Sequence, residues 1–131
     1  MAKAIHMMVR VLDAARSVDF YSKCFGLAVA GRYEWPDFSL IYLRSPDADF
    51  EVELTVNKGR TQPYELGSGY GHVAFAVDDV AREHARIKAL GLAPKDIMEM
   101  THNGEPFGRF FFIEDPDGYK IEVLEKGGRF R

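Results

Sequence analysis

Two kinds of hydrophobic spacing alternate along the chain. From 13 to 25 the apolar side chains recur every three or four residues, at Ala14, Val18, Tyr21 and Phe25. This spacing predicts an amphipathic helix that packs one face against a sheet. Elsewhere, apolar and polar residues alternate in short runs between turn residues, which predicts strands. The predicted strands that follow the helices cover 27–34, 38–44 and 50–57, then 93–100, 109–114 and 119–125.

The same order of elements occurs twice. In each half a His opens an apolar strand, an Asp ends the strand and caps a helix, and the helix stops at a Gly followed by Leu, Gly26 in the first half and Gly91 in the second. We therefore expect an α+β fold in which residues 1–131 form a single domain. Its two tandem βαβββ modules, about 1–62 and 68–131, would have curved mixed sheets that form a metal cavity.

Each predicted module has a His on its first strand and a Glu on its last: His6 and Glu53, then His72 and Glu122. Residues two apart share a strand face, so each of these side chains lies opposite its apolar neighbours. Single histidines on strands are more often structural, and half-exposed glutamates are usually only solvated. Their recurrence at matched places favours a site for Ni, Co, Mn, Fe or Zn with open positions for water or substrate. His84 and His102 lack this symmetry and are expected on the surface.

Composition and charge narrow the class of protein. The chain is 47% apolar and 28% charged, as expected of one globular domain rather than a disordered or low-complexity chain. With 17 Lys and Arg against 20 Asp and Glu, the net charge of −3 makes nucleic acid an unexpected partner. The single cysteine, Cys24, and the lack of a long apolar run predict a cytoplasmic protein that is neither exported nor embedded in a membrane.

Longer motifs resemble a known family. They are His6-Met7-Met8-Val9-Arg10-Val11, Ser17-Val18-Asp19-Phe20-Tyr21, Glu53-Leu54-Thr55-Val56-Asn57, Tyr64-Glu65-Leu66-Gly67-Ser68-Gly69-Tyr70-Gly71-His72 and Glu114-Asp115-Pro116-Asp117-Gly118-Tyr119-Lys120-Ile121-Glu122. Over essentially its full length the chain resembles glyoxalase I, the lactoylglutathione lyases of the vicinal oxygen chelate superfamily. The resemblance implies the glyoxalase/bleomycin-resistance fold.

The resemblance also implies an activity: isomerisation of the hemithioacetal of methylglyoxal and glutathione to S-D-lactoylglutathione, which detoxifies methylglyoxal. His6, Glu53, His72 and Glu122 match the family's metal ligands. The proton would move between adjacent carbons through an enediolate, with Glu122 as the principal base and Glu53 serving the other face of the substrate. Arg10 and Asn57 match positions that hold the γ-glutamyl end of glutathione.

The compact chain resembles the members that prefer Ni or Co, with Zn as the other choice. The resemblance further implies a homodimer in which His6 and Glu53 of one chain share a site with His72 and Glu122 of the other.

Two other functions remain open at the level of sequence. One is another metalloenzyme of the superfamily, a dioxygenase or a thiol transferase; these typically use two His and one Glu, so Glu53 argues against them. The other is a metal-free binding protein of the bleomycin-resistance type, which has no need of four ligand candidates. The segment 98–108 contains no Lys or Arg, so no residue is assigned to the glycine carboxylate of glutathione.

Overall fold

The computed structural model describes residues 1–131. The elements are β1 (His6–Arg10), α1 (Ala14–Phe25), β2 (Ala28–Glu34), β3 (Phe38–Arg44), β4 (Glu51–Asn57), β5 (Val73–Val77), α2 (Val80–Ala89), β6 (Met98–His102), β7 (Glu105–Glu114) and β8 (Lys120–Glu125). This order confirms the predicted duplication of a βαβββ arrangement. Neither helix is long and apolar enough to span a lipid bilayer.

The predicted bounds of the sixth and seventh strands were wrong. The strand expected at 93–100 begins only at Met98, after a segment in which Pro94 has no N–H to donate to a ladder. β7 begins at Glu105 because Asn103 and Gly104, with φ of 52° and 80°, form a two-residue turn that pairs His102 with Glu105. His102 thus ends a strand of the hairpin and is exposed, as predicted.

The chain divides into two compact units. The first unit comprises Met1–Gly67 with Asp115–Tyr119, and the second comprises Ser68–Glu114 with Lys120–Arg131. Each unit contains one four-stranded mixed sheet, with strand order β1-β4-β3-β2 in the first and β5-β8-β7-β6 in the second. In both sheets the first and last strands of the repeat pair in parallel and the other pairs are antiparallel. The two sheets therefore repeat one topology.

Helix α1 is fixed at both ends by local chemistry. The Asp13 side chain caps the N-terminus by accepting a hydrogen bond from the Arg16 N–H at 3.0 Å, and Gly26 ends the helix with φ of 67°. The buried face consists of Ser17, Phe20, Tyr21 and Cys24. The buried Ser17 lies in the middle of this face. The predicted apolar stripe therefore lies along one edge of the buried face.

Ser17 is buried because its hydroxyl has a partner in the turn 115–119, which groups with the first unit. The Asp117 carboxylate accepts from Ser17 Oγ at 3.4 Å, from the Leu12 N–H at 3.1 Å and from Arg16 Nη2 at 3.3 Å. In the same turn, Asp115 accepts a 2.8 Å hydrogen bond from the Tyr21 hydroxyl. Burial raises the pKa of the Asp115 carboxyl, although hydrogen bonds from the Tyr21 hydroxyl and from the Tyr119 and Asp117 N–H groups oppose the rise. The Asp-Pro-Asp-Gly motif therefore anchors α1.

In the second unit, α2 covers a core that includes Phe111, Ile121 and Val123. Asp79 caps this helix by accepting from the Arg82 N–H at 2.9 Å. His84 is half-buried at the surface of the helix, and it also makes structural contacts. Its ring packs edge-on against Phe111 with centroids 5.1 Å apart, and its Nε2 lies 2.9 Å from the Lys95 carbonyl oxygen. His84 is a structural residue that ties α2 to the chain before β6.

Candidate metal centre

The first unit brings together His6 and Glu53. In the parallel pairing of β1 with β4, Glu53 lies opposite Met8, so His6 is two residues back on the same face. The imidazole Nε2 lies 3.0 Å from the Glu53 Oε2. The Glu53 side chain is 11% exposed and the His6 side chain 35%, so the carboxylate is held within the sheet face while the ring stays accessible.

The second unit repeats this geometry with His72 and Glu122. Glu122 lies opposite Ala74 in the pairing of β5 with β8, and His72 again precedes that position by two residues. Here the His72 Nε2 lies 3.7 Å from the Glu122 Oε1, beyond hydrogen-bonding distance. The exposures, 40% for His72 and 14% for Glu122, resemble those of the first pair. We call these two arrangements the first and second His–Glu pairs.

Each His–Glu pair carries one aromatic ring from the neighbouring strand. Tyr42 on β3 lies opposite Glu53, and its ring meets the His6 ring edge-on at 5.8 Å. Phe112 on β7 lies opposite Glu122 and meets the His72 ring in the same way at 5.3 Å. Burial raises the pKa of the Tyr42 hydroxyl, and the hydrogen bond and charge of Glu53 add to the rise.

Neither Tyr42 nor Phe112 was among the site residues expected from the sequence. Superposing the two βαβββ repeats position by position would have matched them, because both lie two residues before the last residue of their strands.

The chemistry of the donor groups in the two His–Glu pairs suits a divalent transition metal. An imidazole nitrogen and a carboxyl oxygen meet on one face of each sheet, and both groups are ligands of borderline metals. Within the chain no group of three or more His, Cys, Asp or Glu side chains is arranged to hold a metal ion. The chain thus presents its four candidate ligands as two pairs.

Arg10 and Asn57 lie on the sheet face that carries the first His–Glu pair. Arg10 is exposed and ends β1, two strand positions beyond Met8. Asn57 ends β4, and its Nδ2 donates a 3.0 Å hydrogen bond to the Tyr64 hydroxyl. The Arg60 guanidinium stacks 4.3 Å above the Tyr64 ring and is a second cation near Asn57, one that was not expected from the sequence.

Two βαβββ repeats, each with an imidazole and a carboxylate on one sheet face, define the glyoxalase and bleomycin-resistance class of α+β proteins. The chain belongs to the Glyoxalase/Bleomycin resistance protein/Dioxygenase superfamily, whose family model matches residues 3–123. The predicted fold class is therefore confirmed.

Individual relatives narrow the assignment from the superfamily to glyoxalase I. The lactoylglutathione lyase of Escherichia coli O157:H7 is 37% identical over 132 residues, which cover 95% of this chain and 93% of that protein. The Arabidopsis thaliana protein named "Probable lactoylglutathione lyase, chloroplastic" is 36% identical over 129 residues, and the chain spans 36% of its length. Glyoxalase I of Leishmania major, described as trypanothione-dependent, superposes with a TM-score of 0.76 at 30% identity, covering 95% of this chain and 87% of that one.

The resemblance to glyoxalase I is thus confirmed, and the chain is an enzyme, a carbon–sulfur lyase of the lactoylglutathione lyase type. This identification excludes the metal-free binding protein that the sequence left open.

Proposed function

We propose that the chain converts the hemithioacetal of methylglyoxal and glutathione to S-D-lactoylglutathione, with a divalent metal held by His6, Glu53, His72 and Glu122. The two matched His–Glu pairs carry this proposal, together with relatives that are named for the same reaction. A bound cation would stabilise the negative charge that develops on the substrate oxygens when the proton leaves carbon. Ni or Co is the proposed metal, with Zn as the alternative.

The proton transfer needs a carboxylate that can approach carbon. Glu122 meets this need better than Glu53. Its carboxylate lies 3.7 Å from its histidine, beyond hydrogen-bonding distance, and is freer to move than that of Glu53, which lies 3.0 Å from its histidine. We assign Glu122 as the principal base, which takes the proton from one carbon and returns it to the neighbouring one, so the reaction is a redox-neutral isomerisation. Glu53 serves the other face of the substrate.

The charged end of the thiol substrate needs a cation and a polar partner. Arg10 is exposed on the same sheet face as His6, and its guanidinium suits the γ-glutamyl carboxylate. Asn57 would add hydrogen bonds from an amide already oriented by Tyr64. A cytoplasmic location is part of the proposal, since reduced glutathione is the co-substrate and the single cysteine, Cys24, has no second cysteine in the chain with which to form a disulfide.

Reconstitution with single metals tests the activity. The protein is stripped with a chelator, Ni, Co, Zn, Mn or Fe is restored singly, and S-lactoylglutathione formation from methylglyoxal and glutathione is followed. Activity with Ni or Co at least as high as with Zn is expected, and a lack of activity with every metal would overturn the proposal. Glu122→Gln should abolish turnover and retain the fold; an active variant would remove Glu122 from the role of base.

We also propose a homodimer whose sites combine the first His–Glu pair of one chain with the second pair of its partner. Mixing two inactive variants, His6→Ala and Glu122→Gln, tests this arrangement. A shared site predicts that each mixed dimer regains one intact site, so random mixing restores about a quarter of the wild-type activity. If both pairs of one site came from the same chain, the mixture would stay inactive.

A further inference from the structure

The two His–Glu pairs are equivalent in strand register and differ in one neighbouring group. Both glutamates lie opposite an aromatic residue on the adjacent strand, and both histidines meet that ring edge-on. The aromatic residue is Tyr42 in the first unit and Phe112 in the second. One repeat therefore has a hydroxyl where the other has only a ring C–H.

The hydroxyl gives Glu53 a second partner within the sheet. Tyr42 lies opposite Glu53 with its ring against that of His6, which places its hydroxyl beside the carboxylate that lies 3.0 Å from the His6 Nε2. The interaction with Glu53 adds to the rise in the pKa of the Tyr42 hydroxyl. Glu122 has no such donor on its neighbouring strand, because a phenyl ring cannot hydrogen-bond a carboxylate in this way, and it lies 3.7 Å from His72. The carboxylates are buried to nearly the same extent, 11% and 14% exposed, so solvent does not distinguish them.

We infer that Tyr42 is a positioning residue that fixes Glu53 as a metal ligand and thereby leaves Glu122 as the carboxylate free to move a proton. The inference rests on the proposed function and explains how two glutamates from a duplicated module take different roles. A hydrogen bond to a ligating carboxylate fixes its orientation, and removing such a partner weakens metal binding about 10- to 100-fold in comparable sites. Without an equivalent restraint, Glu122 would change its orientation at lower cost and so be available to move a proton.

Three single substitutions test this assignment. Tyr42→Phe removes only the hydroxyl, and Phe112→Tyr places one opposite Glu122. Tyr33→Phe is the matched control, because Tyr33 is 56% exposed, its ring lies 6.1 Å from that of Tyr42, and it pairs with Leu40 rather than with a glutamate. Ni²⁺ affinity is measured on the metal-free protein by competition with a chromogenic chelator, and kcat and KM are measured on the reloaded enzyme.

Tyr42→Phe should weaken Ni²⁺ binding about tenfold, whereas Tyr33→Phe should leave it unchanged. Phe112→Tyr should lower kcat more than it raises KM, since restraint of Glu122 slows proton transfer without altering the groups that bind thiol. Unchanged Ni²⁺ affinity in Tyr42→Phe would overturn the assignment, as would an unchanged kcat in Phe112→Tyr.

The Ni²⁺ titration also separates this inference from the proposed function. If the wild-type protein binds Ni²⁺ but forms no S-lactoylglutathione with any metal, the proposed reaction fails, and the affinity of Tyr42→Phe still decides whether Tyr42 fixes Glu53. If the wild type is active and Tyr42→Phe binds Ni²⁺ equally well, the reaction stands and the role of Tyr42 is refuted. A wild-type protein that binds no Ni²⁺ refutes both.

Discussion

Replacing Asp117 by Ala should be among the most destabilising changes outside the apolar core. Its side chain is only 3% exposed and accepts hydrogen bonds from the Leu12 N–H, the Ser17 hydroxyl and the Arg16 guanidinium. The substitution would leave the Leu12 N–H and the fully buried Ser17 hydroxyl without an acceptor. The damage would therefore fall on the start of α1.

The magnitude follows from those contacts. A buried donor left without a partner costs about 1–3 kcal/mol. The Ser17 contact is long at 3.4 Å and the Arg16 side chain is 47% exposed. The loss of either contact should therefore cost an amount of free energy near the low end of the usual range. We expect a loss of about 3 kcal/mol of unfolding free energy, which lowers Tm by about 10 °C in a domain of this size.

Urea and thermal unfolding, followed by far-ultraviolet circular dichroism, measure the loss. Asp19→Ala is the control, because it removes the same charge from an exposed i,i+4 ion pair with Lys23 and should change stability by less than about 0.5 kcal/mol. Asp117→Asn keeps one acceptor oxygen and should fall between the two. If Asp117→Ala destabilised the protein no more than Asp19→Ala, the anchoring role of the turn would be refuted.

Three further outcomes are expected. Gly26→Ala should cost about 1–2 kcal/mol in urea unfolding, because the φ of 67° is unfavourable for alanine even though an added Cβ would meet no atom within 4 Å; Gly69→Ala, with no positive φ, should be neutral. Because burial raises the pKa of Asp115, the wild type should lose stability relative to Asp115→Asn as pH rises from about 4 through that pKa; a constant difference contradicts this. Arg10→Ala should raise KM about tenfold with a smaller change in kcat, and equal effects from the exposed Arg44→Ala would exclude a thiol contact.

The duplicated fold was predictable because its signals are local. Asp13 and Asp79 each cap a helix through a bond to an N–H three residues ahead, and Gly26 ends α1 in a left-handed conformation. Such contacts lie within one turn of the chain, so residue spacing alone predicts them. The alternation that placed His6 and Glu53 on polar strand faces is local in the same sense.

The errors arose where a partner strand decides the outcome. The segment 93–97 has apolar residues in an extended pattern, but only the Lys95 N–H bonds to the neighbouring strand, at the Phe112 carbonyl. The position of β6 instead follows from the Asn103-Gly104 turn, which fixes the register of the hairpin. The match between Tyr42 and Phe112 also depends on register.

The sequence by itself determined the two βαβββ repeats, their helix caps, the resemblance to glyoxalase I and the four ligand candidates. Only the tertiary structure decided that the His–Glu distances differ, at 3.0 Å and 3.7 Å, and that Tyr42 lies against Glu53. It also showed that the turn 115–119 groups with the first unit and anchors Ser17 and Leu12. The physical reason is that these contacts join residues far apart in the chain, whose meeting depends on strand order and register rather than on any local period.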